Sequence, residues 1–138
     1  MIIEACWGLG EALVGGQVTP DAYVIDKRDW SFIDVNVSEQ RKMIVRRQLS
    51  PPARGGVRGG GSEKGHSPFR PNRRMNVGGT REIAVPAQFA HRQKLNGRQI
   101  VELAKLCAKI EQHYKFPCDI EWAFEGGKFY IVQSRPIT

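Results

Sequence analysis

Two carboxylates, an amide and a guanidinium stand near the end of this chain at alternating positions: Asp119 and Glu121, then Gln133 and Arg135. Carboxylate and amide oxygens are hard donors. They suit Mg²⁺, which takes one or two protein ligands, keeps several waters and bridges phosphate oxygens. Asp119, Glu121 and Gln133 are therefore candidate metal ligands. Arg135 supplies a planar cationic fork that matches a phosphate. A metal beside an arginine is what phosphoryl transfer requires, because catalysis there is mostly positioning and charge stabilisation. Acidic residues two apart on a strand are more often a solvated face, so spacing alone does not establish a site.

The elements that must bring these groups together are two short strands, Cys118–Ala123 and Phe129–Ser134, joined across Glu125-Gly126-Gly127. Alternate residues of a strand share a face. Asp119, Glu121 and Ala123 thus lie together, with Ile120, Trp122 and Phe124 behind them. On the second strand, Phe129, Ile131, Gln133 and Arg135 share one face, and Tyr130 and Val132 the other. A three-residue loop with a left-handed glycine pairs Phe124 with Lys128 and sets Asp119 roughly opposite Gln133, so that all four polar residues share a face. A two-residue Gly-Gly turn shifts the pairing by one and separates Glu121 from Gln133. In the first register the apolar face of Ile120, Trp122, Phe124, Tyr130 and Val132 packs against a helix.

That helix is legible upstream. Asn96 followed by Gln99 reads as a capping box. Ile100, Leu103, Ala104, Cys107 and Ile110 recur at helical spacing, widened by Leu106, and Pro117 ends the helix near Lys115. Glu111 and Lys115 are four apart with the acid first, the favourable orientation. Residues 1–45 read as strands and turns, with strands near Ile2–Cys6, Ala22–Ile25, Phe32–Val37 and Lys42–Val45. Residues 46–81 hold eight of the fifteen glycines, four of the eight prolines and a single aromatic, Phe69. Such a stretch buries too little apolar surface to offset its ordering entropy, and it reads as a disordered or flexible basic insertion.

A chain of 138 residues supports one domain with a modest core. The formal charge of +7 is localised: residues 41–81 carry eleven Lys/Arg against Glu63 alone, and the remainder sums to −3. The basicity belongs to one stretch and not to the fold. Three cysteines without CxxC spacing argue against a disulfide scaffold or a common zinc site and suit a reducing compartment. Cys107, His113 and Cys118 read as two small buried side chains and a surface histidine. The apolar runs are too short to span a membrane, and the start, Met1-Ile2-Ile3-Glu4, does not look like a signal peptide; a cytoplasmic location is the default expectation. Gly8-Leu9-Gly10 and Gly59–Gly65 lack the spacing of dinucleotide and phosphate loops and read as turns.

Asp119-Ile120-Glu121-Trp122-Ala123, a short gap, and Ile131-Val132-Gln133-Ser134-Arg135-Pro136-Ile137-Thr138 resemble the end of the nucleotide-binding domain of the phosphoenolpyruvate synthase and pyruvate phosphate dikinase family, which rifampin phosphotransferases also resemble. The helix with Ile110-Glu111-Gln112-His113-Tyr114 looks like that family too. So does the beginning, with Ile3-Glu4-Ala5, Trp7-Gly8-Leu9-Gly10-Glu11, Val14, Gly16 and Pro20-Asp21. The resemblance covers roughly residues 1–45 and 82–138, and residues 46–81 look unlike the family.

The resemblance implies an α+β chain forming part of an ATP-grasp domain, mostly antiparallel sheet packed against at least one helix. Residues 1–138 would be most of its second lobe. It implies ATP and Mg²⁺ as cofactors, Glu121 and Gln133 at metal-binding positions, Asp119 as a supporting acid, Arg135 on a phosphate and Glu11 near the nucleotide. In the full enzymes phosphoryl groups pass from ATP to a histidine and then to pyruvate. The implied partners are a first ATP-grasp lobe and a phosphohistidine domain, in cis or as separate chains; His66, His91 and His113 sit in no context matching that histidine. The expectation is that the isolated chain, with half a clasp, does not turn over.

The competing expectations are a non-catalytic remnant or a nucleic-acid-binding module acting through Arg54–Gly61 and Arg70–Arg81, since Arg/Gly-rich segments bind RNA by charge and stacking. One aromatic and irregular Arg-Gly pairs favour a solvated loop instead.

Overall fold

The computed structural model describes residues 1–47 and 79–137. Its elements run β1 Ile2–Ala5, α1 Glu11–Val14, β2 Asp21–Ile25, β3 Phe32–Asn36, β4 Lys42–Arg46, β5 Thr80–Ala84, α2 Gly97–Tyr114, β6 Cys118–Glu125 and β7 Lys128–Pro136. The architecture is α+β, as expected. Three small sheets, β1-β2-β3, β4-β5 and β6-β7, are each antiparallel.

α2 forms where its sequence says it should. Asn96 is extended and its side chain accepts from the Gln99 N–H, while Gln99 returns the bond to the Asn96 N–H, so two otherwise orphaned donors are satisfied. At the other end Lys115 turns left-handed at φ 62° and its N–H bonds Glu111 O, which stops the helix two residues before Pro117. Ile100, Leu103, Ala104 and Cys107 are buried. They meet Ile3, Ala5, Tyr23 and Ile25 from the inner face of β1 and β2, with Leu95 between. Ile120, Trp122 and Phe129 extend this core along the hairpin. Burial pushes the Cys107 thiol up to about 11, so it behaves as an inert small hydrophobe. Cys118 and Cys6 are only half-buried, so the expectation of two buried cysteines holds for Cys107 alone of its pair; His113 is at the surface as expected.

The β2–β3 turn is clipped to α2. Lys27 Nζ meets both Glu111 oxygens at 3.1 and 3.0 Å, which is where Glu111 goes in place of a helical pair with Lys115. Trp30 sits left-handed at φ 61° and carries Lys105 Nζ 6.0 Å from its ring centre.

A buried polar network lies beneath β2. Asp21 and Lys94 form an ion pair at 2.7 Å with side chains 0% and 2% exposed. Asp21 also accepts from the Ser38 and Lys94 N–H groups and from Tyr23 OH. Lys94 Nζ donates a second bond to Ser38 O, and the Leu95 N–H donates to Tyr23 OH. Every member is satisfied, which is the condition under which burying charge is tolerated. Burial pushes the Asp21 carboxyl up, but the bonds from Lys94, Ser38 and Tyr23 outweigh it and hold the group below the usual carboxylate range. Burial and the Asp21 carboxylate push the Tyr23 phenol up.

Gln40, 2% exposed, ties the turn after β1 to β4: its Oε1 accepts from the Trp7 N–H, and its amide donates to Trp7 O and Lys42 O. Gly8, at φ +83°, lies so close to β4 that a Cβ there would stand 2.6 Å from Ile44 O.

Two expectations change. Residues 1–45 contain a one-turn helix, α1, besides strands and turns. The ends of segment 46–81 are strand: Arg46 belongs to β4, Thr80 and Arg81 to β5, and Arg46 pairs with Thr80. Residues 48–78, and with them nearly all of the Arg/Gly-rich stretch, lie outside the described residues. Among the described residues no helix is long and apolar enough to cross a membrane.

Candidate functional site

The hairpin β6–β7 turns on Gly126 and Gly127, at φ 58° and 81°. Two successive positive φ values are what a mirror-image two-residue turn needs, and its twist matches that of the flanking strands. The turn pairs Glu125 with Lys128, then Phe124 with Phe129, Ala123 with Tyr130 and Trp122 with Ile131. The expected three-residue loop with Phe124 opposite Lys128 is thus incorrect.

By the parity argument, a two-residue turn should have parted Glu121 from Gln133. It does not, because the register shifts between Glu121 and Trp122. Val132 is left without a partner, and beyond it Glu121 faces Gln133, Ile120 faces Ser134 and Asp119 faces Arg135. One extra residue reverses the parity of β7, as a β-bulge does. The four predicted residues therefore share the outer face after all, as two cross-strand pairs with the inward-facing Ile120–Ser134 rung between them. All four are exposed.

The bulge also reassigns the apolar residues. Phe129, expected beside Gln133, instead packs into the core, its ring 5.7 Å from Trp122 and 4.7 Å from Phe124. Ile131 follows it onto the inner face by pairing with Trp122. Tyr130 and Val132, expected in the core, are 52% and 65% exposed on the outside.

Arg135 is held by Asp119: its Nε and a terminal nitrogen each lie 3.1 Å from the same oxygen, Oδ2. Glu11 is placed elsewhere, in the first turn of α1 against β4, where its Oε1 accepts from Thr80 Oγ1 at 3.1 Å. Among the described residues no side-chain hydrogen bond or ion pair joins Glu11 to the four hairpin residues. Among the described residues no cluster of three His, Cys, Asp or Glu side chains could hold a metal ion unaided. Glu121 and Gln133 together offer an incomplete set of oxygens, which fits a cation that draws its remaining ligands from water and phosphate.

A groove of about 320 Å³ lies on the other side of the hairpin, between α2 and β7, lined by Lys109, Ile110, His113, Tyr114, Ile131 and Ser134. Ser134 Oγ is buried there without a hydrogen-bond partner. The four candidate residues are not in this concavity; they stand on an open sheet face.

Replacing Gly127 by valine tests whether the turn sets the site. No atom lies within 4 Å of a Cβ at Gly127, so only the backbone objects. A β-branched residue at φ 81° is expected to cost about 1–2 kcal/mol and to weaken the turn-proximal pairing. Thermal unfolding checks the first, and cross-strand NOEs between residues 124 and 129, set against those between 121 and 133, check the second.

Comparison with protein families matches residues 1–54 and 61–138 to the pyruvate phosphate dikinase AMP/ATP-binding domain. The match runs through much of segment 46–81 and leaves out 55–60, so the departure expected over that segment is narrower than its composition suggested. Among curated proteins, the chain is 36% identical over 138 residues to a probable phosphoenolpyruvate synthase of Methanocaldococcus jannaschii, covering 100% of this chain and 9% of that protein. It is 39% identical to the phosphoenolpyruvate synthase of Pyrococcus furiosus and 34% identical to that of Escherichia coli K12, covering 14% and 15% of those proteins. The chain thus spans a small fraction of the length of the relatives it matches.

Proposed function

The chain belongs to the pyruvate phosphate dikinase AMP/ATP-binding domain family, and from that premise we propose that residues 1–138 form most of the second lobe of an ATP-grasp nucleotide site of the phosphoenolpyruvate synthase type. The observation that carries this reading is the pairing of Glu121 with Gln133 beside Asp119 with Arg135 on one exposed hairpin face. The residues meet the needs of Mg·ATP. Glu121 and Gln133 would present oxygens to the cation, with Asp119 as the supporting acid and Arg135 toward a phosphate, and Glu11, on α1 apart from the hairpin, would stand near the nucleotide. When bound, Mg²⁺ would neutralise and bridge phosphate oxygens.

The openness of this face agrees with half a clasp. A first lobe would close over it, excluding water and strengthening each electrostatic contact. That lobe and a phosphohistidine domain are the partners this reading requires, in cis or as separate chains, in a cytoplasmic setting. In the complete assembly the phosphoryl group would pass to the histidine and then to pyruvate. Arg135 would stabilise charge on the phosphates during the transfer. Alone, the chain is proposed to bind nucleotide weakly and not to turn over.

Titrating Mg·ATP into the labelled chain, with and without an added first lobe from a relative, tests this. Shifts are expected at Glu121, Gln133 and Arg135. Glu121→Ala and Arg135→Ala should each weaken binding about 10- to 100-fold, the range for a lost charge-assisted contact. No nucleotide response from the chain with the first lobe present would sink the proposal.

A further inference from the structure

The way the two ends of the acidic–basic rung meet bears on how the work of the site is divided. After the bulge, Asp119 and Arg135 are direct cross-strand partners. Two nitrogens of the guanidinium converge on one carboxylate oxygen, Nε at 3.1 Å and a terminal nitrogen at 3.1 Å. The Nε–H donates a hydrogen bond and one terminal nitrogen adds ion-pair contact, leaving the N–H groups of the other terminal nitrogen open on the fork. Glu121 and Gln133, two rungs away on the same face, have no comparable side-chain partner among the described residues, so their oxygens remain for a cation.

We propose that Asp119 is a positioning residue: it holds the Arg135 guanidinium on the outer face of the hairpin with its open N–H edge presented to a nucleotide phosphate, and it is not a ligand of the metal. This rests on the nucleotide reading above and divides its labour. Glu121 and Gln133 serve the cation, and Asp119 serves the phosphate through Arg135. The pair is half-exposed, with side chains 59% and 55% accessible, so it contributes little to folding. Its effect is on freedom. A free arginine carries about 2 kcal/mol of rotamer entropy, part of which must be lost on gripping a phosphate. An arginine already fixed by its neighbour loses less.

The test uses the 138-residue chain with two probes, tripolyphosphate without metal and Mn²⁺ without phosphate. Asp119→Asn and Asp119→Ala remove the same charge, but only asparagine keeps an oxygen to accept the guanidinium. Tripolyphosphate is expected to bind about fivefold more weakly to Asp119→Ala than to Asp119→Asn. The difference should vanish in an Arg135→Ala background. The Arg135 Nε–H resonance, which needs no ligand, should move to the position of an unrestrained arginine in Asp119→Ala and stay dispersed in Asp119→Asn. Mn²⁺ affinity should survive both substitutions within about threefold and be lost in Glu121→Ala. Loss of Mn²⁺ in both Asp119 variants would make Asp119 a metal ligand and overturn the proposal. Equal tripolyphosphate binding by the two variants would overturn it as well, with the metal role of Glu121 intact. A parent chain that binds neither probe would remove the nucleotide reading itself.

Discussion

Lys94→Met is expected to lower the unfolding free energy by about 3–5 kcal/mol, the usual cost of leaving a buried charge without its partner. Asp21 would keep the Ser38 and Lys94 N–H groups and the Tyr23 hydroxyl, yet lose the ammonium 2.7 Å away, and Ser38 O would lose a donor. For a domain of this size that is a large part of the total. Urea unfolding reads it. The double variant Asp21→Asn/Lys94→Met, which leaves no buried charge, should recover part of the loss and also serves if the single variant does not fold.

The same pair sets an acid limit. The folded Asp21 carboxyl lies below the usual range, so its contribution is fully present above the unfolded value of about 3.9 and is lost as pH falls through the lower folded value. In Lys94→Met burial is no longer offset by the lysine, and the carboxyl should rise. Acidification then favours the variant relative to the parent, and the gap between their unfolding curves should begin to narrow above the unfolded value of about 3.9 and go on narrowing as pH falls through it. A gap independent of pH would mean that Asp21 does not carry the effect.

Gly8→Ala is the second large loss, expected at about 2–4 kcal/mol. The new Cβ would sit 2.6 Å from Ile44 O and 2.9 Å from Met43 Cβ, at φ +83°. Both neighbours belong to β4, and Ile44 O already accepts the Leu9 N–H at 2.7 Å. The turn must lift away, breaking that bond and straining the Gln40 bridge. Gly16→Ala is the control: φ +68° with no atom within 4 Å, so it should cost only the left-handed backbone, about 1 kcal/mol. Denaturation midpoints of the two variants separate steric contact from backbone conformation. Equal losses would refute the close approach.

What the sequence disclosed follows the range of the interactions involved. The capping box at Asn96 and the stripe from Ile100 to Cys107 depend on neighbours three or four residues away, and both were legible. So were the hairpin strands and the types of the four polar residues. The register was not. Glu125-Gly126-Gly127 admits a two- or a three-residue loop, and Phe129 to Val132 is apolar or aromatic at both parities. Nothing local marks Val132 as the unpaired residue; the choice is made when Phe129 and Ile131 find the core. The right grouping of Asp119, Glu121, Gln133 and Arg135 was thus reached through the wrong loop, with a bulge supplying the missing step. The Asp21–Lys94 pair joins residues 73 apart and left no trace in either segment. β5 follows a glycine-rich stretch and exists by pairing with β4, and α1 is too short to show a period.

The β4–β5 ladder, together with the core, makes the molecule divisible. Arg47 N–H bonds Gly79 O at 2.8 Å, so residues 47 and 79 are neighbours in space. Ile3, Tyr23, Ile25 and Asp21 lie before residue 47, while Lys94, Ile100, Leu103 and the whole β6–β7 hairpin lie after residue 79. Neither side has an interior of its own. A single cut between residues 47 and 79 would therefore yield two complementary pieces that fold by finding each other, with the candidate phosphate hairpin on one piece and much of the surface that keeps it upright on the other.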